Sequence, residues 1–166
     1  MRIYLGGPMF TAAEQRYNLW LAGVLRSEGY EVYCPNESEP INDKSRDDIT
    51  SRMVYEFDVE ALERSNVYLC QVSEDSGTNW EAGYFDCLSR HVDSERYWGV
   101  LGLATDLRLA ARPDPRFKGI ENPAFHVNQF VAGGLLSSLG VVYDEDALLI
   151  RLRQLAADRT ARSAGT

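Results

Sequence analysis

The chain has 166 residues, of which 45% are hydrophobic and 25% are charged, and this composition fits one globular domain with its own core. Its 25 acidic residues outnumber 17 basic ones, and the formal net charge of -8 argues against nucleic acid or an anionic membrane as partner, because both bind clustered lysine and arginine. No stretch approaches the roughly 20 apolar residues of a membrane span, and the apolar start of the chain is too short for a signal peptide.

The first 35 residues predict a strand, a helix and a second strand. Residues 2–5 (RIYL) are typical of a strand, and Thr11 with Glu14 forms the capping-box pattern that begins a helix. Apolar residues then recur at helical spacing until Gly29, after which residues 30–34 (YEVYC) predict a second strand. This order indicates a βαβ unit and therefore a parallel sheet.

The rest of the chain repeats this alternation. We predict helices at residues 50–64, 79–90, 127–139 and 144–159, and strands at residues 66–72, 97–104 and 141–143. The polar segments predict loops at residues 36–49, which form a candidate lid, and at 105–122, with a turn at 73–78 and a frayed tail at 161–166. The pattern predicts one α/β domain over residues 1–160, with a flavodoxin-like five-stranded parallel sheet and helices on both faces. Ligands of such sheets bind beyond the carboxyl ends of the strands.

The three cysteines indicate the redox conditions in which the protein works. Cys34, Cys70 and Cys87 lie far apart and form no disulfide framework in the sequence. An odd number of unclustered thiols favours reducing conditions, so a cytoplasmic location is expected.

Asp58 lies on the apolar side of the predicted helix 50–64, because it shares a face with Val54, Ala61 and Leu62. A carboxylate in that position must be paired or must open onto a pocket. A structural aspartate bonded to a loop amide or to an arginine would satisfy this requirement as well as a functional one.

Glu81 is predicted to lie in the first turn of the helix 79–90, where free N–H groups and the helix dipole stabilise an ionised carboxylate. A carboxylate that is held, ionised and partly dry suits a nucleophile in glycosyl transfer. An ordinary first-turn glutamate is the alternative interpretation.

Asp75 stands six residues before Glu81 and shortly before Gly77. It can be a turn or cap residue. It can equally be the second member of a carboxylate pair, since glycosidic cleavage uses one carboxylate as nucleophile and another for the proton of the leaving group.

Other chemistries lack their motifs in this sequence. The dinucleotide pattern G-x-G-x-x-G, the Walker A motif and the G-x-S-x-G elbow are missing, and His91 and His126 have no further ligand at metal-like spacing. No metal and no cofactor are therefore predicted.

Several segments together resemble the nucleoside 2-deoxyribosyltransferase family, in the order in which the family has them. They are residues 3–10 (IYLGGPMF), the helix and strand through YEVYCP, 55–62 (YEFDVEAL), 75–85 (DSGTNWEAGYF), 105–108 (TDLR) and 127–130 (VNQF). The segment with DSGTNWEAGY is the most specific. Phe130 and Gln129 depart from the family, which commonly has methionine and leucine there.

The resemblance implies a role for each catalytic position. Glu81 would be the nucleophile that holds a covalent deoxyribosyl intermediate, and Tyr4 would position it. Asp75 would serve the base as proton donor and acceptor. Asp58 would hold the sugar hydroxyls or assist the proton traffic.

The same resemblance implies a substrate site and an assembly. Gly7, Phe10, Asn128 and Phe130 would bind the substrate, with Asn128 contributed by a neighbouring subunit to the sugar 5′-hydroxyl. A homodimer or a larger homo-oligomer with shared active sites is thereby implied, with nucleosides and free nucleobases as partners and no cofactor.

The resemblance predicts a transferase of nucleotide salvage, which moves 2-deoxyribose between nucleobases with retention of configuration. A hydrolase on the same scaffold and a non-catalytic nucleoside-sensing module are the alternatives. Nucleosides are favoured over nucleotides, because residues 6–10 (GGPMF) contain neither the serine nor the arginine of the deoxynucleoside 5′-monophosphate N-glycosidases. These motifs leave the choice between purine and pyrimidine, and between deoxyribose and ribose, open.

Overall fold

The computed structural model describes residues 1–38, 43, 45–106, 120 and 127–164. Residues 163 and 164 are described by their backbone alone. Five strands form the sheet: β1 (Arg2–Gly6), β2 (Glu31–Tyr33), β3 (Val67–Gln71), β4 (Gly99–Leu103) and β5 (Val141–Val142). The long helices are α1 (Ala12–Ser27), α2 (Ser51–Glu63), α3 (Ser76–Cys87), α4 (Gln129–Ser137) and α5 (Glu145–Ala164). A 3₁₀ turn at Pro35–Glu37 follows β2, and a π-helical turn at Leu88–Val92 extends α3.

The strands form one parallel sheet in the order β2-β1-β3-β4-β5. Helices α2, α3 and α4 cover one face, where the core includes Ala61, Leu62, Ala82, Phe85, Ala132 and Leu135. Helices α1 and α5 cover the other face through Leu21, Ala22, Leu25, Leu148, Leu152 and Leu155. The predicted flavodoxin-like α/β fold is confirmed. Within the described ranges, no helix combines the length and the apolar character that crossing a membrane requires.

Helix α1 begins as its sequence predicts. The hydroxyl of Thr11 accepts from the amide of Glu14, whose carboxylate accepts from the amide of Thr11, which is the complete capping box. The helix therefore starts immediately after the loop that follows β1, and this loop lies at the carboxyl edge of the sheet.

Two predicted helix boundaries are wrong. Helix α3 begins at Ser76 instead of residue 79, because the side chain of Asp75 caps it and three further residues join the helix. Helix α5 continues to Ala164, so the predicted tail at 161–166 is helical as far as the structure describes it. Alanine and arginine in this stretch have high helix propensity and extend the last turns.

The predicted loops are described only in part. Residues 39–42 and 44 of the candidate lid, and residues 107–119 and 121–126 of the segment after β4, lie outside the described residues. Thr50, at the end of the first loop, is the N-cap of α2 and accepts from the amide of Met53.

Candidate active site

A row of three tyrosines crosses three neighbouring strands of the sheet, on the face that α2 and α3 cover. Tyr4 on β1 lies in register with Tyr33 on β2 and with Tyr68 on β3. The ring centroid of Tyr4 is 4.8 Å from that of Tyr33 and 5.4 Å from that of Tyr68. All three side chains belong to the core on the α2–α3 face, so their hydroxyl groups are available to carboxylates on those helices.

Glu81 receives one tyrosine hydroxyl on each carboxylate oxygen. Tyr4 donates to Oε1 at 2.9 Å, and the hydroxyl of Tyr68 lies 2.8 Å from Oε2 and 3.0 Å from the carbonyl oxygen of Thr78. The pKa of Glu81 is raised to about 7 as the net result of several causes: burial raises it most, the hydrogen bonds from Tyr68 and Tyr4 lower it, and the charges of Asp58 and Asp75 raise it. The carboxylate is therefore close to half ionised at neutral pH.

The predicted explanation for the charge of Glu81 is wrong. With Asp75 as N-cap, Glu81 is the sixth residue of α3 and lies beyond its first turn, out of reach of the free N–H groups. The groups that favour its ionised form are the hydroxyls of Tyr4 and Tyr68.

Asp58 is half-buried on α2 and bonds to the same tyrosine row. The hydroxyl of Tyr33 lies 3.3 Å from its Oδ1 and accepts from the hydroxyl of Ser38 at 3.0 Å. Burial raises the pKa of Asp58, while the hydroxyls of Tyr33 and Tyr4 lower it. The described partners are therefore tyrosine hydroxyls, in contrast to the loop amide or arginine of a purely structural aspartate.

Asp75 is the N-cap of α3. Its Oδ1 accepts from the amide of Gly77 at 3.3 Å, and its Oδ2 accepts from the amide and the hydroxyl of Thr78 at 2.8 Å and 2.6 Å. Asp75 is therefore a helix cap, which is one of the two interpretations that the sequence allows. Its half-buried carboxylate is also a negative charge that raises the pKa of Glu81, although less than burial does.

Gly6, the last residue of β1, and Gly7, which follows it, lie close to side chains of β3. A Cβ atom on Gly6 would lie 1.9 Å from the hydroxyl oxygen of Tyr68, and one on Gly7 would lie 2.6 Å from Nε2 of Gln71. Glycine at position 6 therefore lets the chain pass close to the Tyr68 phenol, whereas at position 7 the nearest atoms belong to the flexible side chain of Gln71. Phe10, at the end of the loop after β1, is 77% exposed.

A buried amide network braces the same loop. Asn18 is 2% exposed, accepts from Nε2 of Gln71 at 2.7 Å, and donates to the carbonyl of Pro8 and to Oδ1 of Asn36. It joins the loops after β1 and β2 to the end of β3. The sequence analysis did not identify this network.

None of the described hydrogen bonds joins Asn128 or Phe130 to the carboxylates of Glu81, Asp58 or Asp75. Asn128 is the exposed N-cap of α4 and accepts from the amide of Phe130, whose side chain is 90% exposed. Phe130 lines an open groove between α3 and α4, together with Asn79, Ala82, Gly83, Asp86, Val100, Val131, Gly134 and Leu135. Glu81 does not line this groove, since it faces the tyrosine row.

In the described part of the chain, no cluster of three or more histidine, cysteine, aspartate or glutamate side chains could hold a metal ion. Cys34 and Cys70 are buried free thiols, Cys87 is an exposed one, and His126 lies outside the described residues.

Two residues of the site were missed by sequence reasoning. Tyr33 and Tyr68 stand in predicted strands, where an aromatic residue is ordinarily a core residue. The signal that could have found them is the phenol itself, because a buried tyrosine hydroxyl needs a polar partner.

Comparison with known proteins identifies the family of this chain. A family model described as nucleoside 2-deoxyribosyltransferase matches residues 3–122, and the chain belongs to this family. The resemblance found in the sequence is thereby confirmed.

Individual relatives are distant. The uncharacterized protein UU063 of Ureaplasma parvum is 30% identical over 101 residues, which cover 55% of this chain and 63% of that protein, so the match spans less than two thirds of this relative. A conserved protein from Enterococcus faecalis V583 has a similar structure, with a TM-score of 0.70 and 28% identity over 93% of this chain and 98% of that chain. A 2-deoxyribosyltransferase from Bacillus psychrosaccharolyticus has the same fold, with a TM-score of 0.61 and 17% identity over 89% and 90% of the two chains.

Proposed function

We propose that this protein transfers 2-deoxyribose from one nucleobase to another through a covalent ester on Glu81. The observation that carries the proposal is the carboxylate of Glu81, half-buried beside the sheet with one tyrosine hydroxyl on each oxygen. Such a group is held in one orientation and is poorly solvated, which favours attack on an electrophilic carbon.

The reaction would consist of two displacements at the anomeric carbon. In the first, an oxygen of Glu81 bonds to C1′, the N-glycosidic bond breaks, and the electron pair of that bond leaves with the base, which takes up a proton. In the second, a nitrogen of the incoming base loses its proton, bonds to C1′ and releases the carboxylate. Two inversions restore the original configuration, and the anionic carboxylates stabilise the oxocarbenium character that develops at C1′.

The proton of the base requires a second carboxyl group. Asp58 suits this role because burial raises its pKa, so that it can hold a proton at a higher pH than an ordinary aspartate. Asp75 remains the candidate implied by the family, although its oxygens already accept three hydrogen bonds from the start of α3.

A nucleoside is the proposed substrate in preference to a nucleotide. The site presents the carboxylates of Glu81, Asp58 and Asp75, and residues 6–10 beside it carry no cationic side chain. A phosphate placed there would meet like charge without a clamp of arginine or lysine.

An oligomer with shared sites and a cytoplasmic location complete the proposal. Asn128 and Phe130 are exposed in the single chain, so a neighbouring subunit could receive them at its own site. The three free cysteines agree with a reducing compartment.

The experiment incubates purified protein with 2′-deoxyuridine, with and without adenine, and separates the products by chromatography. Formation of 2′-deoxyadenosine only when adenine is present supports transfer. The variant Glu81→Ala should form none while keeping its fold, and Glu56→Gln, an exposed glutamate on α2, is the matched control.

Two other results would redirect the proposal. Uracil release at one rate with and without adenine would indicate a hydrolase, because water would then reach the glycosyl-enzyme first. No reaction in either tube would contradict nucleoside transfer, and 2′-deoxycytidine monophosphate and a calorimetric titration would then distinguish a nucleotide hydrolase from a binding module.

A further inference from the structure

Tyr68 contacts Glu81 as closely as Tyr4 does. Its side chain has no exposed surface, and its hydroxyl lies 2.8 Å from Oε2 of Glu81 and 3.0 Å from the carbonyl oxygen of Thr78. The roles implied by the family resemblance cover the hydrogen bond from Tyr4 to Oε1 and leave Oε2 without an assigned partner.

We propose that Tyr68 is a second positioning residue for Glu81, whose hydroxyl fixes Oε2 while that of Tyr4 fixes Oε1. The inference rests on the proposed function, in which Glu81 is the nucleophile. Tyr68 would act through Glu81 and not through contact with the substrate.

The geometry of the two donors supports this role. Tyr4 and Tyr68 stand opposite each other on adjacent strands, with ring centroids 5.4 Å apart, and each reaches a different oxygen of one carboxylate. A single hydrogen bond leaves the carboxylate free to rotate about its last torsion, which is intrinsically soft. A donor on each oxygen fixes the plane of the carboxylate and therefore the direction of its free lone pairs.

The packing around Tyr68 holds the phenol in this one position. Its ring packs against that of Phe85 at 6.1 Å between centroids, on the side of α3. On the side of the β1 loop, a Cβ atom on Gly6 would lie 1.9 Å from the hydroxyl oxygen and 2.3 Å from Cζ of Tyr68. Glycine at position 6 therefore provides the space that the Tyr68 phenol occupies.

The hydrogen bond from Tyr68 matters at both displacements. Before the first, it favours the ionised form of Glu81, which is the nucleophile. In the second, the carboxylate is the leaving group, and a donor on its oxygen stabilises the returning negative charge. Loss of the hydroxyl should consequently lower kcat more than it raises KM.

The experiment measures the ionisation of Glu81 directly, without turnover. Protein labelled with ¹³C at the glutamate side-chain carboxyls is titrated by NMR, and the Glu81 signal is identified by its loss in Glu81→Gln. In Tyr68→Phe we expect the midpoint of Glu81 to rise by about one pH unit, because a donor to the charged form is removed.

Tyr97→Phe is the matched control. Tyr97 is a buried tyrosine of the same core, its ring packs against Phe85 at 5.7 Å, and its hydroxyl lies 3.3 Å from the carbonyl oxygen of Glu63. Its replacement should leave the midpoint of Glu81 unchanged. An unchanged midpoint in Tyr68→Phe, or an equal rise in both variants, would overturn the proposal.

A second measurement does not depend on the variant folding. The unsubstituted protein is labelled with ¹³C at tyrosine Cζ and titrated by NMR. The chemical shift of Tyr68 should change with the same midpoint as that of the Glu81 carboxyl. A Tyr68 shift that does not change over this titration also contradicts the proposal. If the midpoint responds as expected but the unsubstituted protein exchanges no base, the proposed function fails and the positioning role of Tyr68 stands.

Discussion

The hydroxyl group of Tyr4 donates a hydrogen bond of 2.9 Å to Oε1 of Glu81, across 77 residues of sequence. It joins the middle of the strand β1 to the helix α3. Burial of Glu81 and the tyrosine donors act in opposite directions on its pKa, and their balance governs the predictions on pH and stability that follow.

The pH dependence of turnover should show the ionisation of Glu81. Because the pKa of Glu81 is about 7 and the ionised form is the nucleophile, kcat/KM for deoxyuridine should fall below pH 7 and approach a tenfold loss for each further pH unit. Tyr4→Phe removes a donor to the charged form and should move this limb to higher pH. Rates that stay constant down to about pH 5 would contradict the assignment.

The stability of the protein should depend on the same group. The pKa of Glu81 is about 7 in the folded chain against an ordinary value of 4.5, so its stabilising contribution is complete below about pH 4.5 and is lost as the pH rises through 7. Glu81→Gln lacks this loss. Relative to the unsubstituted protein, the variant should therefore gain about 3 kcal/mol in free energy of unfolding between about pH 4.5 and pH 8, measured by urea denaturation. Glu56→Gln should show no such gain, and a constant difference between Glu81→Gln and the unsubstituted protein would count against the buried carboxylate.

Replacement of Asp58 should impair turnover and alter its pH dependence. We expect Asp58→Asn to lower kcat about a hundredfold, because the amide cannot exchange a proton with the base. The charge of Asp58 raises the pKa of Glu81, so the remaining activity should have its acidic limb at lower pH. Asp158→Asn, at an exposed position of α5, serves as control. If Asp58→Asn had normal turnover and the acidic limb of its pH profile were unshifted, Asp58 would be excluded from the site.

Two variants of Asp75 distinguish its role as the cap of α3 from the effect of its charge on turnover. Asp75→Ala removes the cap of α3 and should lower the free energy of unfolding by about 1 kcal/mol. Asp75→Asn keeps a good capping residue but removes the charge, and should unfold at nearly the same urea concentration. A large loss of turnover in the asparagine variant would assign Asp75 to proton transfer, whereas retained turnover would leave it with the structural role alone.

Mixed subunits test the sharing of the site. Glu81→Ala and Asn128→Ala should each be inactive, and unfolding and reassembling them together should restore activity, because a mixed pair has one site with both residues intact. Random pairing would return about a quarter of the original sites. If Asn128 acted within its own chain, reassembly would restore nothing, and if it acted in no site, Asn128→Ala would be active before mixing. Size-exclusion chromatography before and after mixing confirms that the subunits have exchanged.

Local sequence patterns were sufficient to predict the order of the elements. The capping box at Thr11, the alternation of strands with helices and the short turns each act within a few residues, and together they indicated the parallel sheet that the structure has. The boundary errors are local as well. The start of α3 and the end of α5 were predicted wrongly, because a cap and a high helix propensity lengthened these helices by a few residues.

The residues of the candidate site could be predicted only in part from local sequence patterns. Glu81, Asp58, Asp75 and Tyr4 were singled out by pattern or by family resemblance, whereas Tyr33 and Tyr68 were not. The contribution of Tyr33 and Tyr68 to the site depends on strand register, because Tyr4 pairs with Tyr33 on one side and with Tyr68 on the other. The sequence of one strand does not encode which residue of the neighbouring strand each of its residues pairs with.

The sequence by itself thus determined the fold class, the family and the carboxylates that could react. The tertiary structure decided how those carboxylates are held and charged. Glu81 has a raised pKa because burial outweighs two tyrosine hydrogen bonds, and Asp75 is engaged as a helix cap. The physical reason is that desolvation and hydrogen bonding between distant strands and helices exist only once the chain is packed, whereas propensity and periodicity are present in the chain before it folds.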